Sequence, residues 1–255
     1  VINMAHGSLY MLGAFIATTL ISTWAGASSY WTALTLAPLA VAVVGLVMEL
    51  GVFRRIYRSE HVVQLLATYA LILIVADLTR MVWGAEYRSI SLPFAGSISI
   101  AERPFPIYNL FVMAWALGLA IGLWYLVYRT GLGSLIRAAV DDPEMVEALG
   151  VNIPRVFTTV FMIGAFLAAL GGVLVSPIGS VALGMDIDML IEAFVVAVIG
   201  GLGSFAGALL GAVIIGIMHS FGITVAPRMA MAFIFLAMAV VLIVRPWGLF
   251  GEPER

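Results

Sequence analysis

Apolar residues run along this chain in blocks of about 17–24, separated by short polar stretches, rather than in stripes of period 3.6 or strict alternation. Blocks of that length match a hydrocarbon core of about 30 Å. Backbone groups in lipid must be satisfied within the segment, so each block is predicted to be a helix. Eight membrane segments follow, at residues 4–24, 33–53, 62–82, 106–128, 156–175, 189–202, 205–223 and 229–245. The sixth is short for a full span and is expected to be tilted, broken or partly re-entrant. The predicted fold class is all-α, a polytopic transmembrane helical bundle in which 1–255 forms a single domain.

Composition points the same way. The 255 residues are 63% hydrophobic and 10% charged, with a mean hydropathy of +1.14. A soluble domain carries roughly 25% charged residues to wet its surface. A net charge of −2 gives no electrostatic case for nucleic acid, and the absence of cysteine excludes disulfide and thiolate chemistry. No cleavable signal peptide is visible. The chain opens at Val1, and further N-terminal sequence is expected to precede it.

Arginine placement suggests an orientation. With residues 54–61 in the cytoplasm, that side holds Arg54, Arg55, Arg58, Arg129, Arg137, Arg155, Arg245 and Arg255. The other side holds Arg80, Arg88, Arg103 and Arg228. Eight against four places the start of the first segment and the C-terminus in the cytoplasm. The longest cytoplasmic connection, 129–155, reads as two short helices over 134–140 and 143–149. Asp142 suits an N-cap, Pro143 the first helical position and Gly150 the stop. An amphipathic helix at headgroup level would account for the pattern. The length, well beyond a linker between neighbouring helices, favours docking of a cytoplasmic partner.

Residues 199–206 contain a G-x-G-x-x-A spacing after a β-branched run. A dinucleotide fold would also want an acidic residue about 20 positions on, and 207–245 contains no Asp or Glu. Helix packing explains it better: Gly203, Gly207 and Gly211 recur every four residues, a spacing that lets helices approach closely in lipid. Polar residues inside membrane segments are the default functional candidates. Asn3, His6 and Tyr10 share one helical face, Gln64 and Thr68 another, with Tyr69 beside them. Glu192 falls in the sixth segment and His219 in the seventh. Each alone fits an interhelical hydrogen bond as well as a solute contact. Asp77 and Arg80 suit an interfacial ion pair, and Glu49 reads as interfacial near Arg54 and Arg55. There is no G-x-x-x-x-G-K-[ST] loop, no metal-ligand spacing and no Ser-His-Asp set. Catalytic residues, metal and cofactor are therefore not expected.

The run Ile2-Asn3-Met4-Ala5-His6-Gly7, followed by Tyr10-Met11-Leu12-Gly13-Ala14, resembles the NxAHG…MxGA signature of branched-chain amino-acid ABC transporter permeases, the LivH-type subunit. The resemblance continues through Glu49 and residues 54–57 and through Gln64-Leu65-Leu66-Ala67-Thr68. It extends to Ala138-Ala139, to Glu147-Ala148-Leu149-Gly150-Val151-Asn152 and to Gly200-Gly201-Leu202-Gly203-Ser204. The family has another helix before this motif, so the first helix is expected to lie upstream of Val1. The resemblance implies a permease of the bacterial inner membrane that pairs with a second, usually non-identical permease, two cytoplasmic ATPases and a periplasmic substrate-binding protein. Residues 141–152, with Asp141, Asp142, Glu144, Glu147, Ala148, Leu149 and Gly150, then resemble the loop that couples to the ATPase. Asn3, His6, Tyr10, Gln64, Thr68 and Glu192 are the expected substrate pathway. Branched-chain amino acids are the expected cargo, with urea, short amides or aromatic acids as alternatives. An ATP-independent transporter or channel, or a membrane-embedded enzyme, would need no such partners.

Overall fold

The apolar blocks become helices, and the polar stretches become caps and turns, in the computed structural model, which describes residues 3–24, 29–57, 59–100 and 103–251. Ile2 of the signature and Arg58 and Arg255 of the orientation count lie outside the described residues. The helices are α1 (His6–Thr23), α2 (Ser29–Met48), α3 (Arg54–Ile56), α4 (His61–Trp83), α5 (Ile107–Arg129) and α6 (Gly131–Asp141). They continue with α7 (Pro143–Ala148), α8 (Ile153–Val175), α9 (Met185–Gly200), α10 (Phe205–Val225) and α11 (Ala230–Val244). A wide π-type turn, Glu49–Phe53, joins α2 to α3, and a 3₁₀ turn, Pro227–Met229, leads into α11.

Among the described residues, six helices are long and apolar enough to cross a membrane, against the eight expected. The chain is a multi-pass membrane protein of all-α class. The two that fall short are α1 and α9. Over 18 residues α1 carries His6, Ser8, Thr18, Thr19, Ser22 and Thr23, and α9 has 16 residues. The reading also missed two short antiparallel strands between α4 and α5, β1 (Ser97–Ile100) and β2 (Arg103–Pro106), with Ser97 opposite Pro106.

Residues 1–187 form one compact unit and 188–255 a second. The first is built on α1, α2 and α8, which touch almost backbone to backbone. A Cβ added at Gly13 would stand 2.5 Å from the Ala169 carbonyl oxygen, and one at Gly45 2.7 Å from the Ala165 methyl. Lipid offers no hydrophobic drive for helices to pair, so close packing of small residues has to supply the attraction. Larger side chains fill the flanks: Leu9, Val41, Phe53 and Phe161 on one side, and Tyr30, Leu34, Tyr108 and Leu174 on the other. The buried Tyr108 hydroxyl lies 2.7 Å from that of Tyr30 and donates to the Leu174 carbonyl at 2.8 Å.

In the second unit, Gly207 and Gly211 of α10 press on the backbone of Gly200 and Val196 in α9. Gly203 does not share that face. It sits in the turn before α10 with φ +88° and open space around it, because Ser204 caps the helix by accepting from Gly207 N and so starts it at Phe205. Residues 195–199 are helical in α9, so the strand that a dinucleotide motif requires is absent here. After α11 the chain returns to α9, with Leu249 N donating to Ile199 O at 2.8 Å.

Candidate functional site

Two of the polar residues picked from the sequence, His6 and Tyr10, meet α8, and a third, Asn3, stands just before α1. The Asn3 side-chain oxygen accepts from Ala5 N at 3.0 Å, which organises the entry to α1. The His6 imidazole is hydrogen-bonded to the Asn3 backbone, and its ring packs 5.2 Å from that of Phe161. Its Nε2 abuts Gly164, where an added Cβ would stand only 2.7 Å away. One turn further, the Tyr10 ring lies on Gly171.

Asn3 and His6 open onto a cavity of about 480 Å³. Phe53 and Tyr57 form one wall, and Phe157, Val160 and Phe161 of α8 form another. The third wall is Ala139, Val140 and Pro143, from the connection between α5 and α8. A second cavity of about 450 Å³, between α5 and α8, is almost wholly apolar around Leu119, Leu123 and Phe166. Its one polar lining side chain is Thr159, whose hydroxyl already donates to the Arg155 carbonyl at 2.9 Å.

Glu49 stands behind the Tyr57 wall and corrects the sequence reading. It is not an interfacial partner of Arg54 and Arg55. It is fully buried in the wide turn. The Tyr57 hydroxyl donates to its Oε1 at 3.2 Å. The Thr158 hydroxyl lies 3.0 Å from its Oε2 and 2.8 Å from the Pro154 carbonyl, so that one proton serves both. Burial first, and then the adjacent Glu49 carboxylate, push the Tyr57 phenol above its ordinary range, so it remains a donor. Turns of this kind occur often at functional sites.

Gln64 and Thr68 are placed elsewhere. The Gln64 amide donates to the carbonyls of Ile56, Tyr57 and Ser59 at 3.2, 3.2 and 3.0 Å, closing the turn between α3 and α4. The Thr68 hydroxyl returns to Leu65 O at 2.8 Å. Asp77 and Arg80 do not pair: both are exposed, where an ion pair gains little. Glu192 Oε1 lies 3.8 Å from His219 Nδ1 in the second unit, a contact that is an ion pair only when the imidazole is protonated, between two residues that the sequence left separate. Sequence reading also passed over Asp186, which is buried and accepts from Ser8 Oγ at 3.3 Å. No group of His, Cys, Asp or Glu among the described residues could hold a metal ion.

The 129–155 connection folds as α6 and α7. Asp142 caps α7 by accepting from Met145 N at 2.9 Å, Pro143 occupies its first turn, and Gly150 stops it with φ +86°. Ala139, Val146 and Ile153 form a small core of its own. The outer surface carries Asp141, Asp142, Glu144, Glu147, Ala148 and Gly150 in exposed positions. Beside them, Val140, Met145 and Leu149 are 72%, 61% and 76% exposed.

A family profile described as branched-chain amino acid transport system / permease component matches residues 1–242. The chain is 28% identical to the high-affinity branched-chain amino acid transport system permease protein BraD of Pseudomonas aeruginosa, over 99% of the chain and 87% of that protein. It is 27% identical to the corresponding permease LivH of Escherichia coli, over 99% of the chain and 86% of that protein. The probable branched-chain amino acid transport permease LivH of Methanocaldococcus jannaschii is 30% identical over 86% of the chain and 70% of that protein. No solved structure matches.

Proposed function

This chain belongs to the branched-chain amino acid transport system permease family, and from that premise we propose that it forms half of the membrane pathway of an ATP-driven, binding-protein-dependent importer. The cargo is branched-chain amino acids. A second, non-identical permease completes the pathway. Two cytoplasmic ATPases drive it, and a periplasmic binding protein delivers the solute across the bacterial inner membrane. ATP is hydrolysed in the partner subunits.

The observation that carries this reading is the surface of α6 and α7. Val140, Met145 and Leu149 are largely exposed on a connection outside the candidate spans. Exposed apolar patches rimmed by polar residues mark contact with another protein or with a membrane, and the acidic rim here favours a protein over anionic headgroups. The loop has its own small core, so it can transmit a push to α8, which begins directly after it at Ile153. Asp141, Asp142, Glu144, Glu147, Ala148, Leu149 and Gly150 form the ATPase contact. Asn3, His6, Tyr10 and Glu192 belong to the pathway.

Co-purification in detergent tests the motor contact. Glu147→Arg, an exposed charge reversal, is expected to lower recovered ATPase about tenfold or more. Unaltered assembly and uptake in that variant would remove the loop assignment. Ligand binding by the periplasmic partner tests the cargo: a partner that ignores leucine, isoleucine and valine but takes urea or an aromatic acid contradicts it.

A further inference from the structure

We propose that the cavity beneath the start of α1 is a solute site within this single subunit, where a branched aliphatic amino acid rests against the ATPase-contacting loop before release. The inference rests on the transport reading above and deepens it. The cavity holds about 480 Å³, within the range of ligand sites, which are mostly apolar with a few placed polar groups.

Its chemistry sorts the candidate solutes. Phe157, Val160 and Phe161 offer an aromatic and aliphatic wall to a branched side chain. At one end stand Asn3 and His6. The Asn3 oxygen is engaged by Ala5 N, while its amide nitrogen has no partner among the described residues and is a donor available to a carboxylate. Urea or a short amide would leave the apolar wall uncovered and gain little from burial. A leucine-like solute covers that wall and meets the polar end at once. Gly164 is what makes the end accessible, because a side chain there would collide with the His6 ring.

The third wall gives the site its meaning. Val140 and Pro143 flank the joint between α6 and α7, so a displacement of that loop changes the volume available to the solute. The motor contact and the solute would then be separated by one layer of side chains.

The chain has no cysteine, which allows a direct test. Val160→Cys, and Phe157→Cys on the same wall, are introduced into the assembled transporter in proteoliposomes, and the rate of modification by a small permeant maleimide is followed as leucine or urea is titrated. Leucine is expected to slow labelling saturably, by about tenfold at ten times its Kd, with urea giving no protection. A control at Met81→Cys, 80% exposed on α4, keeps its rate. If the cysteine-free complex takes up leucine but neither cavity position is protected, or Met81→Cys is protected equally, the pocket proposal is overturned and the transport reading stands. If the complex takes up no leucine, the transport reading fails and the pocket goes with it.

Discussion

The Thr158 hydroxyl stands 3.0 Å from Oε2 of Glu49, tying the second turn of α8 to the wide turn at the end of α2 across 109 positions of sequence. A carboxylate this deeply buried depends on every donor it has. Thr158→Val leaves Oε2 without one, and should lower stability by about 1–3 kcal/mol. Thermal unfolding in detergent reads this as a fall in Tm. Glu49→Ala, which leaves the Tyr57 hydroxyl without its acceptor and opens a void, should cost at least as much. An unchanged Tm in Thr158→Val would show that the contact carries no stability.

The contact between α1 and α8 leaves no room for a side chain at Gly13, whose added Cβ would lie 2.5 Å from a backbone oxygen. Gly13→Val should therefore separate the two helices and cost more than about 3 kcal/mol. The measurement is recovery of monodisperse protein by size exclusion. Gly118 has open space around it, and Gly118→Ala should be recovered like the parent.

Tyr108 and Tyr30 share a hydrogen bond but are not equivalent. The Tyr108 hydroxyl serves both Tyr30 and the Leu174 carbonyl, so Tyr108→Phe breaks two contacts. Tyr30→Phe leaves the second in place. Denaturation should show Tyr108→Phe as the costlier change, by about 1 kcal/mol. The reverse order would contradict the bond directions.

Glu192 and His219 lie 3.8 Å apart with side chains 30% and 40% exposed. Their coupling in a double-mutant cycle should stay below about 1 kcal/mol. Glu192→Gln is then expected to leave Tm near the parent value while reducing uptake, which separates a pathway role from a structural one. A matched fall in both would make the pair structural.

The helices and the caps of α7 could be read from the chain because their causes are local: apolar runs, Asp142, Pro143 and Gly150. What escaped depended on distant partners. Glu49 reads as interfacial because Arg54 and Arg55 are near in sequence, while its real partners, Tyr57 and Thr158, are gathered by the wide turn and by α8. Gln64 looks like a pathway residue, since an amide in a membrane segment is costly, but the cost is met by three carbonyls of the turn just upstream, at Ile56, Tyr57 and Ser59. Gly203 follows the four-residue spacing of Gly207 and Gly211, yet Ser204 starts the helix after it. Asn3 and His6 were visible as a pair on one face. The cavity they open onto was not, because its other walls come from the wide turn, the 129–155 connection and α8.

The wide turn also sets the phase of the long helix that contains it. Along α2 and into the turn the buried positions fall every fourth residue: Ala37, Val41, Gly45, Glu49 and Phe53. On a helix of 3.6 residues per turn, each step of four overshoots by about 40°, so four uninterrupted steps would carry Phe53 nearly to the opposite side from Ala37. A turn that closes five residues on instead of four takes up part of that drift. Phe53 is thereby returned to the interior, and Arg54 and Arg55 are left outside. Deleting one residue there would re-aim everything beyond Glu49, the Tyr57 wall of the cavity included.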